Sequence, residues 1–371
     1  MVNTMKRPFS LLIKPVSYLC NLRCKYCFYC YDNKAELGKA EVMSDATLDA
    51  LITNYAAAAH PPYIFAFQGG EPLLAGIDFY ERFIEMLNHR LPPRTSVSVA
   101  IQTNGTLINE EWAALFKKMN ALIGVSIDGD ADIHDANRVD GSGKGSFERA
   151  YNGFRLLVEN GVPANVLTTV NALTAKYPER IYDFLRSEAK VDFMQFIPIF
   201  DLDEKGDVLP HSVRADDYHR FLSVIFERWK ISDPRPSVRL FDNMYEAILG
   251  QRPSSCQFAP NCGGYFLVEA NGNVYPCDFY AEKRWLLGNV ARDEFSSIFE
   301  SSKSRKFSEL KQHYMKKNCE ACEVRHYCYG GCPHYSRTGY YEFCSVNKRF
   351  LPVFKEFADG LAPNVGAGVN A

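Results

Sequence analysis

The cysteines of this 371-residue chain constrain its fold more than any other feature of the sequence. Four of the 12 cysteines lie in the segment CNLRCKYCFYC, residues 20–30, and the other eight lie between positions 256 and 344. Cysteines grouped this densely form disulfides or bind zinc or an iron–sulfur cluster. The sequence therefore predicts two separate cysteine-based regions, divided by a long stretch without cysteine.

The charge and the apolar patterning point to a compartment and exclude some partners. A net charge of −2 gives no indication of nucleic acid or an anionic membrane as a partner. No apolar segment approaches the ~20 residues that cross a bilayer. The start of the chain lacks the apolar core and cleavage site of a signal peptide. We therefore expect a cytoplasmic protein, and in that reducing compartment clustered cysteines are more often metal ligands than disulfides.

Short apolar segments alternate with segments of helical periodicity over the first half of the chain. Segments with the helical spacing are 44–58, 78–90, 109–119, 146–159 and 177–187, with Ser44 and Asn109 as predicted N-caps. The predicted strands are 9–16, 63–72, 97–105, 122–129, 164–171 and 193–199. Six strands alternating with helices predict an α/β fold with a parallel sheet curled into a partial (β/α)6 barrel. Catalytic groups of such folds lie at the carboxyl ends of the strands.

The composition changes after the sixth predicted strand. Residues 201–235 are predicted to form a connector with one helix over 215–229, and the sequence then becomes cysteine-rich with short helices. Segment 265–280, with Asn-Gly-Asn at its centre, predicts a β-hairpin. We predict a barrel domain with connector over 1–235, a cysteine-rich domain over 236–360 and a flexible tail over 361–371. Because coiled-coil heptads are absent, we expect a monomer.

The first cysteine group has the spacing Cys20-x3-Cys24-x2-Cys27, which can direct three thiolates at one point. Three ligands leave one iron of a [4Fe-4S] cluster open, whereas structural zinc usually takes four. Zinc, a disulfide, or a fourth thiolate from Cys30 are alternatives that the spacing leaves open. With Tyr26 before the last cysteine, the motif resembles the signature of radical S-adenosylmethionine (SAM) enzymes. The resemblance implies that Cys20, Cys24 and Cys27 hold the cluster that binds SAM, and that Cys30 is not a ligand.

The segment GGEP, residues 69–72, follows the next predicted strand and resembles the second motif of the same enzymes. In that motif, backbone oxygens and the glutamate hold the amino group of SAM. The resemblance also implies that Ser126 and Arg138 reach the SAM carboxylate and ribose, and that Phe200 contacts adenine. The cofactor-binding residues implied in this way are Tyr26, Gly69, Gly70, Glu71, Ser126, Arg138 and Phe200.

The second cysteine group resembles the SPASM extension of peptide-modifying radical SAM enzymes. It reads Cys262-x9-Gly272-x4-Cys277, then Cys319-x2-Cys322-x5-Cys328-x3-Cys332, with Cys256 before and Cys344 after. Eight thiolates are enough for two [4Fe-4S] clusters. The resemblance implies that Cys256, Cys262, Cys277 and Cys332 hold auxiliary cluster I, and that Cys319, Cys322, Cys328 and Cys344 hold auxiliary cluster II. Two structural zinc sites are the alternative.

Further segments, such as LLIKP, FAFQGGEPLLAG, IQTNGTLI and VYPCDFYAEKRWLLGN, resemble the anaerobic sulfatase-maturating enzymes. The resemblance implies oxidation of a Cys or Ser in a sulfatase to Cα-formylglycine, with a 5′-deoxyadenosyl radical removing hydrogen. It implies Asp278 as the general base and the auxiliary clusters as electron acceptors. The implied partners are a sulfatase motif Cys/Ser-x-Pro/Ala-x-Arg and a low-potential donor such as flavodoxin or ferredoxin. Gln68, Gln102 and Asn104 lie at strand ends, where they either bind substrate or SAM or satisfy local turns.

Two other functions compete with this interpretation. The first is a SPASM enzyme that forms thioether or carbon–carbon crosslinks in a ribosomal peptide. Because such enzymes often carry a leader-binding domain before the cluster loop, and the loop here starts at residue 20, we expect a maturase instead. The second is a non-catalytic zinc or iron–sulfur scaffold, which would leave the GGEP and Asp278 matches without a role. The sequence does not distinguish a Cys-type from a Ser-type substrate.

Overall fold

The structure, a computed structural model, describes residues 6–31 and 41–361, except for the side chains of Cys30 and Tyr31. The strands are β1 (Ser10–Ile13), β2 (Tyr63–Phe67), β3 (Val97–Thr103), β4 (Leu122–Ser126), β5 (Ala164–Val170), β6 (Phe193–Pro198), β7 (Ser237–Val238), β8 (Tyr265–Val268), β9 (Asn273–Tyr275) and β10 (Gly288–Asn289). The helices are α1 (Phe28–Tyr31), α2 (Asp45–Ala58), α3 (Ile77–Arg90), α4 (Glu110–Met119), α5 (Ala131–Asp135), α6 (Phe147–Glu159), α7 (Pro178–Asp183), α8 (Ala215–Ile231), α9 (Arg239–Ile248), α10 (Phe295–Glu300), α11 (Ser302–Ser308), α12 (Leu310–Asn318), α13 (Arg325–Cys328) and α14 (Cys344–Leu361).

The chain packs into two compact units. Unit 1 comprises residues 1–167 and 263–308, and unit 2 comprises 168–262 and 309–371. This division groups residues by packing and leaves the predicted domains, 1–235 and 236–360, as predictions. The predicted tail, 361–371, lies outside the described residues except for Leu361, the last residue of α14.

Unit 1 is built on a mostly parallel sheet. Its strands follow the order β10-β9-β8-β1-β2-β3-β4-β5, and every neighbouring pair from β8 to β5 is parallel. Each of the six predicted strands has a counterpart in β1–β6, so the predicted strand pattern is confirmed. The two predicted N-caps are confirmed as well, because Ser44 accepts from the Thr47 amide and Asn109 from the Trp112 amide.

The alternation of side chains in β2 explains how the sheet is covered. Tyr63, Phe65 and Phe67 are buried, whereas Ile64 between them is 39% exposed. The Phe65 ring lies 5.2 Å from the rings of both Tyr55 in α2 and Phe83 in α3. One face of the strand therefore packs against helices, and positions 64, 66 and 68 share the opposite face.

The predicted hairpin is confirmed, but its place in the sheet was not predicted. Strands β8 and β9 pair antiparallel, and Gly272 in the turn has a φ of 81°, which favours glycine. Strand β8 also pairs in parallel with β1, with Ile13 opposite Val268. The residues that follow β8 therefore lie beside those that follow β1.

Unit 2 has an aromatic core formed by three helices. Phe226 of α8 contacts Phe241 of α9 and Phe350 and Phe354 of α14, with ring centroids 5.4–5.6 Å apart. Strands β6 and β7 form a short parallel pair in the same unit. Within the described part of the chain, no helix has both the length and the apolar character needed to cross a membrane.

Candidate active site

The first cysteine motif lies on the loop between β1 and α1. The amide of Leu22 donates to Cys20 Sγ (3.4 Å), and the amide of Cys27 donates to the carbonyl oxygen of Cys24 (3.0 Å). Cys20, Cys24 and Cys27 are partly exposed and form no disulfide. Burial raises the pKa of Cys20 to about 11, and a bound metal would displace this proton. The side chain of Cys30 lies outside the described residues.

The GGEP turn holds the backbone that leads into this loop. Gly70 donates its amide to Ser17 O (2.9 Å), and Glu71 donates its amide to Leu19 O (2.7 Å). A Cβ added to Gly70 would lie 2.0 Å from Leu19 O, and one added to Gly69 would lie 2.7 Å from Ser17 O. Both positions therefore require glycine, and the predicted SAM motif and the predicted cluster loop are brought together in unit 1.

The carboxylate of Glu71 accepts hydrogen bonds from other residues of the chain. It accepts from Thr103 Oγ1 (2.7 Å), the Asn104 amide (2.7 Å) and the Leu73 amide (3.0 Å), and it is fully buried. Burial raises the pKa of Glu71 to about 7, although these hydrogen bonds lower it in part. Glu71 thus ties the end of β2 to the end of β3, and a role toward SAM stays a prediction.

Arg138 and Tyr26 are joined through a residue that the sequence reasoning missed. Asp128 forms a two-point ion pair with Arg138, at 2.9 Å from Nε and 3.2 Å from Nη2, and it accepts a hydrogen bond from the Tyr26 hydroxyl. Burial alone would raise the pKa of Asp128, but the Arg138 guanidinium and its hydrogen bonds lower it overall. The Asp128 carboxylate therefore fixes both predicted SAM contacts relative to the cluster loop. Its position two residues after the end of β4 was the available signal.

His134 contacts the backbone of Asp128 and connects it to Ser146. Its Nδ1 accepts from the Asp128 amide (3.3 Å), and its Nε2 lies 3.0 Å from Ser146 Oγ, which donates to the Arg138 carbonyl (2.8 Å). Burial, with the nearby Arg138 charge, lowers the pKa of His134 to about 3. The ring is therefore neutral at physiological pH.

Acidification is expected to destabilise the protein through His134. The unfolded chain, with a histidine pKa of about 6.5, binds a proton that the folded ring rejects. Stability is therefore fully present above about pH 6.5 and falls as the pH drops toward 3. Between pH 6.5 and 5.0 the wild type should lose about 2 kcal/mol more than His134→Gln, measured by urea unfolding. The exposed His60→Gln variant is the control, and equal losses in all three proteins would contradict the assignment.

The predicted base, Asp278, lies in a buried charge cluster. Its Oδ1 is 2.6 Å from Lys14 Nζ, and its Oδ2 accepts from Gln68 Nε2 (3.2 Å). Lys14 Nζ is also 3.2 Å from Glu269 Oε1, and the other oxygen of Glu269 accepts from the Ser17 hydroxyl. The sequence predicted Asp278 and Gln68 separately and missed Lys14 and Glu269, although each directly follows a strand of the sheet.

The other two predicted substrate contacts, Gln102 and Asn104, form hydrogen bonds with other side chains of the chain. Gln102 Nε2 donates to Ser126 Oγ (3.1 Å) at the ends of β3 and β4. Asn104 Nδ2 donates to Asn21 Oδ1 (2.8 Å) and lies 3.8 Å from Cys20 Sγ. Asn104 therefore buttresses the cluster loop, and a substrate role for it or for Gln102 stays a prediction.

The cysteines predicted for auxiliary cluster II lie together in unit 2. All four line one cavity, and Asn347 Nδ2 lies 3.1 Å from Cys328 Sγ inside it. The four are Cys319, Cys322, Cys328 and Cys344. Their chemistry fits an iron–sulfur cluster, because thiolates are its ligands. Among the residues that the structure describes, no three His, Cys, Asp or Glu side chains are grouped to hold a single metal ion.

The cysteines predicted for auxiliary cluster I are divided between the units. Cys256, Cys262 and Cys332 belong to unit 2, where burial and the neighbouring Cys256 raise the pKa of Cys332 to about 12. Cys277 belongs to unit 1, where its Sγ lies 3.1 Å from the Tyr265 hydroxyl. Phe200, the predicted adenine contact, is buried in unit 2 with its ring 6.3 Å from that of Phe343.

A buried lysine, also missed from sequence, holds the segment that carries Cys256. Lys311 is 1% exposed, and its Nζ donates to the carbonyls of Cys256 (3.0 Å), Gln257 (2.9 Å) and Ala259 (2.6 Å). Three acceptors need three N–H donors, which only the ammonium form has. Lys311 therefore brings a positive charge to the backbone beside a predicted ligand.

Removing this ammonium is expected to cost stability. Lys311→Met leaves three carbonyl oxygens without a charged donor, so the free energy of unfolding should fall by about 3 kcal/mol in urea titrations followed by circular dichroism. Lys303→Met is the matched control, since the exposed Lys303 donates to one carbonyl, that of Leu286 (2.8 Å). The control should change by less than about 1 kcal/mol. A Lys311→Met loss no larger than this would show that the three contacts are not stabilising.

Comparison with known proteins gives the family. Residues 15–185 match the Radical SAM superfamily, and residues 256–323 match SPASM, an iron–sulfur cluster-binding domain. A cysteine-type anaerobic sulfatase-maturating enzyme of Clostridium novyi (strain NT) is 38% identical over 332 residues, 88% of this chain and 88% of the relative. The chain belongs to the anaerobic sulfatase-maturating enzymes. A serine-type member of this family, from Bacteroides thetaiotaomicron, is 32% identical over 354 residues, 90% of this chain and 84% of that one.

A solved structure of the same family confirms the fold. The native enzyme anSMEcpe, with bound AdoMet and Cp18Cys peptide, matches with a TM-score of 0.88 and 33% identity, over 96% of this chain and 100% of that one. The predicted fold class is therefore confirmed as an unclosed, barrel-like radical SAM core with a parallel sheet, followed by a SPASM domain. Radical SAM enzymes require a [4Fe-4S] cluster and SAM, and SPASM domains bind auxiliary iron–sulfur clusters. Membership of this family excludes the non-catalytic scaffold.

Proposed function

We propose that this enzyme oxidises a Cys or Ser side chain of a sulfatase to Cα-formylglycine, with Asp278 as the base. One observation carries the proposal. The Asp278 carboxylate is paired with Lys14, whose ammonium also lies 4.9 Å from the ring of Tyr29, two residues beyond Cys27. A proton acceptor thus lies beside the segment proposed to hold the radical-generating cluster. A maturase needs these two groups close together.

The reaction removes a hydrogen atom, a proton and an electron from the substrate side chain. When bound, SAM and its cluster supply the radical that takes the hydrogen atom, and the auxiliary clusters accept the electron. Asp278 takes the proton from the substrate thiol or hydroxyl, which must come within hydrogen-bond reach of a free lone pair on its carboxylate. Gln68 holds the other side of that carboxylate. A thiol gives a thioaldehyde, which water hydrolyses to the aldehyde.

The residues proposed to hold the cofactors follow from the site described above. Cys20, Cys24 and Cys27 bind the SAM cluster, and the GGEP turn, which Glu71 anchors, holds the SAM amino group. Arg138, which pairs with Asp128, and Ser126, which accepts from Gln102, are proposed to reach the SAM carboxylate and ribose. Tyr26, whose hydroxyl donates to Asp128, is a further proposed cofactor contact. The eight SPASM cysteines bind the two auxiliary clusters in the sets predicted from the sequence.

The proposed partners follow from this chemistry. The substrate is a sulfatase segment with the motif Cys/Ser-x-Pro/Ala-x-Arg, and a low-potential protein such as flavodoxin or ferredoxin supplies the electron that starts SAM cleavage. We place the enzyme in the cytoplasm, because iron–sulfur clusters need cysteines that are kept reduced. We propose that it acts as a monomer.

The test is a mass measurement on two peptides. The enzyme, reconstituted anaerobically with iron and sulfide, receives SAM, dithionite and a peptide with Cys-x-Pro-x-Arg or Ser-x-Ala-x-Arg. Formylglycine replaces the elements of hydrogen sulfide by one oxygen in the first peptide and removes two hydrogen atoms from the second. Peptides with alanine at the target position are controls. Cleavage of SAM with both peptides unchanged would contradict the proposed function and favour another peptide substrate.

A further inference from the structure

The charge cluster around Asp278 is built by the register of three adjacent strands. Strands β8, β1 and β2 run in parallel, with Ile13 opposite both Val268 and Phe67. The residues one position further, Glu269, Lys14 and Gln68, therefore lie side by side at the carboxyl edge of the sheet. The ladder continues there, because the Lys14 amide donates to Val268 O (2.9 Å) and the Gln68 amide to Ile13 O (2.9 Å). The sheet itself thus presents a cation between an amide and a carboxylate.

Lys14 is the central residue of this row. Its side chain is 1% exposed, as is that of Glu269, and that of Asp278 is 9% exposed. Burying an ammonium is costly unless anions surround it. Burial alone lowers the pKa of Lys14, but Asp278, Tyr29 and Glu269 together raise it well above its ordinary value. The group is therefore a permanent cation shared by two carboxylates.

We infer that Lys14 is the positioning residue that holds the Asp278 carboxylate in its working orientation; this inference rests on the proposed function. Lys14 holds Oδ1 at 2.6 Å and Gln68 holds Oδ2 at 3.2 Å, so the carboxylate cannot rotate without breaking one of these contacts. The contact with Lys14 is an ion pair and Gln68 uses one lone pair of Oδ2, so the carboxylate keeps lone pairs for the substrate proton. Lys14 Nζ also lies 4.9 Å from the centre of the Tyr29 ring, so it contacts both the base and α1, the helix that follows the cluster loop.

Glu269 has a separate part in the cluster. One oxygen of its carboxylate lies 3.2 Å from Lys14 Nζ, and the Ser17 hydroxyl donates to the other oxygen. Glu269 is thus the second counterion of Lys14, and the cluster carries one cation and two anions. Removing the cation together with one of the two anions leaves the net charge of the cluster unchanged, so a double substitution separates the orientation of Asp278 from charge balance.

The test compares three variants with the wild type in the peptide assay, measuring formylglycine formed per 5′-deoxyadenosine released. Lys14→Met removes the cation, and Lys14→Met/Glu269→Gln removes it while restoring the net charge of the cluster. Glu269→Gln alone keeps the ion pair between Lys14 and Asp278. We expect the ratio to fall about 10- to 100-fold in both Lys14→Met proteins, since a base displaced by about 1 Å loses this much. Glu269→Gln should lose less than about threefold.

The outcomes separate the two proposals. A wild type that cleaves SAM but modifies neither peptide overturns the proposed function and the role of Lys14 with it. Where the wild type makes formylglycine, a ratio restored in the double variant shows that Lys14 serves charge balance alone and overturns the inference. A parallel fall of SAM cleavage and formylglycine, with the ratio unchanged, also overturns it. Iron content and melting temperature are measured on every variant; if Lys14→Met fails to fold, the charge-balanced double variant decides.

Discussion

The Cys27→Ala variant is expected to lose SAM cleavage by more than about a thousandfold, because the reaction has no comparable route without the radical-generating cluster. Cys27 follows Tyr26, whose hydroxyl donates to Asp128, and its own amide donates to Cys24 O (3.0 Å). Removing this sulfur leaves two of the three proposed ligands, Cys20 and Cys24, and two ligands do not retain a four-iron cluster with an open iron. Iron and sulfide content, absorbance in the visible range and 5′-deoxyadenosine release measure the loss.

Cys30→Ala is the matched control in the same cysteine-rich segment, residues 20–30. Three thiolates leave one iron free for SAM, whereas a fourth would occupy it, so Cys30→Ala should keep the cluster and most of the activity. The backbone of Cys30 belongs to α1, just beyond Cys27. Loss of the cluster in Cys30→Ala with retention in Cys27→Ala would contradict the ligand set proposed here.

The strand pattern could be predicted because it depends on neighbouring residues. Alternation such as Tyr63, Phe65 and Phe67 facing the helices is a local property, and so are the caps at Ser44 and Asn109. The spacing of the cysteines and the GGEP turn, interpreted through their resemblance to a family, gave the family that comparison confirmed. For the SPASM hairpin, its turn was predictable and its pairing with β1 was not.

The charge cluster could not be predicted, because it depends on contacts between distant segments. Lys14 and Glu269 meet only because β8 adds in parallel to β1, and nothing in either segment specifies this partner. A lysine after a strand usually lies in solvent, and its burial follows from the two carboxylates that register brings to it. Asp128 and its guanidinium partner Arg138 are only ten residues apart, but the short helix α5 lies between them, and its geometry is what brings the two side chains together. The sequence shows that these charged residues lie near the ends of strands, but only the structure shows that they are buried and which residues they pair with.

The Asp278→Asn variant is expected to cleave SAM at nearly the wild-type rate while formylglycine formation falls about 10²- to 10⁴-fold, the usual contribution of a positioned general base. An asparagine has the shape of aspartate, and its amide oxygen can still face Lys14. Glu269 remains as a counterion of Lys14, so we expect the fold and the cluster loop to be retained. The asparagine amide is too weak a base to take the substrate proton. The 5′-deoxyadenosyl radical therefore still forms, but formylglycine does not.

Two measurements identify this behaviour, and a second aspartate in unit 1 provides the control. The ratio of formylglycine to 5′-deoxyadenosine should collapse, and KM for the peptide should change little, because the proton transfer is made only after binding. Asp293→Asn changes an exposed aspartate that accepts from the Asn289 amide (2.8 Å), and it should keep the wild-type ratio. An Asp278→Asn enzyme with the ratio of this control would remove Asp278 as the base. The proton would then have to leave through another acceptor, and the cluster built around Lys14 would need a different explanation.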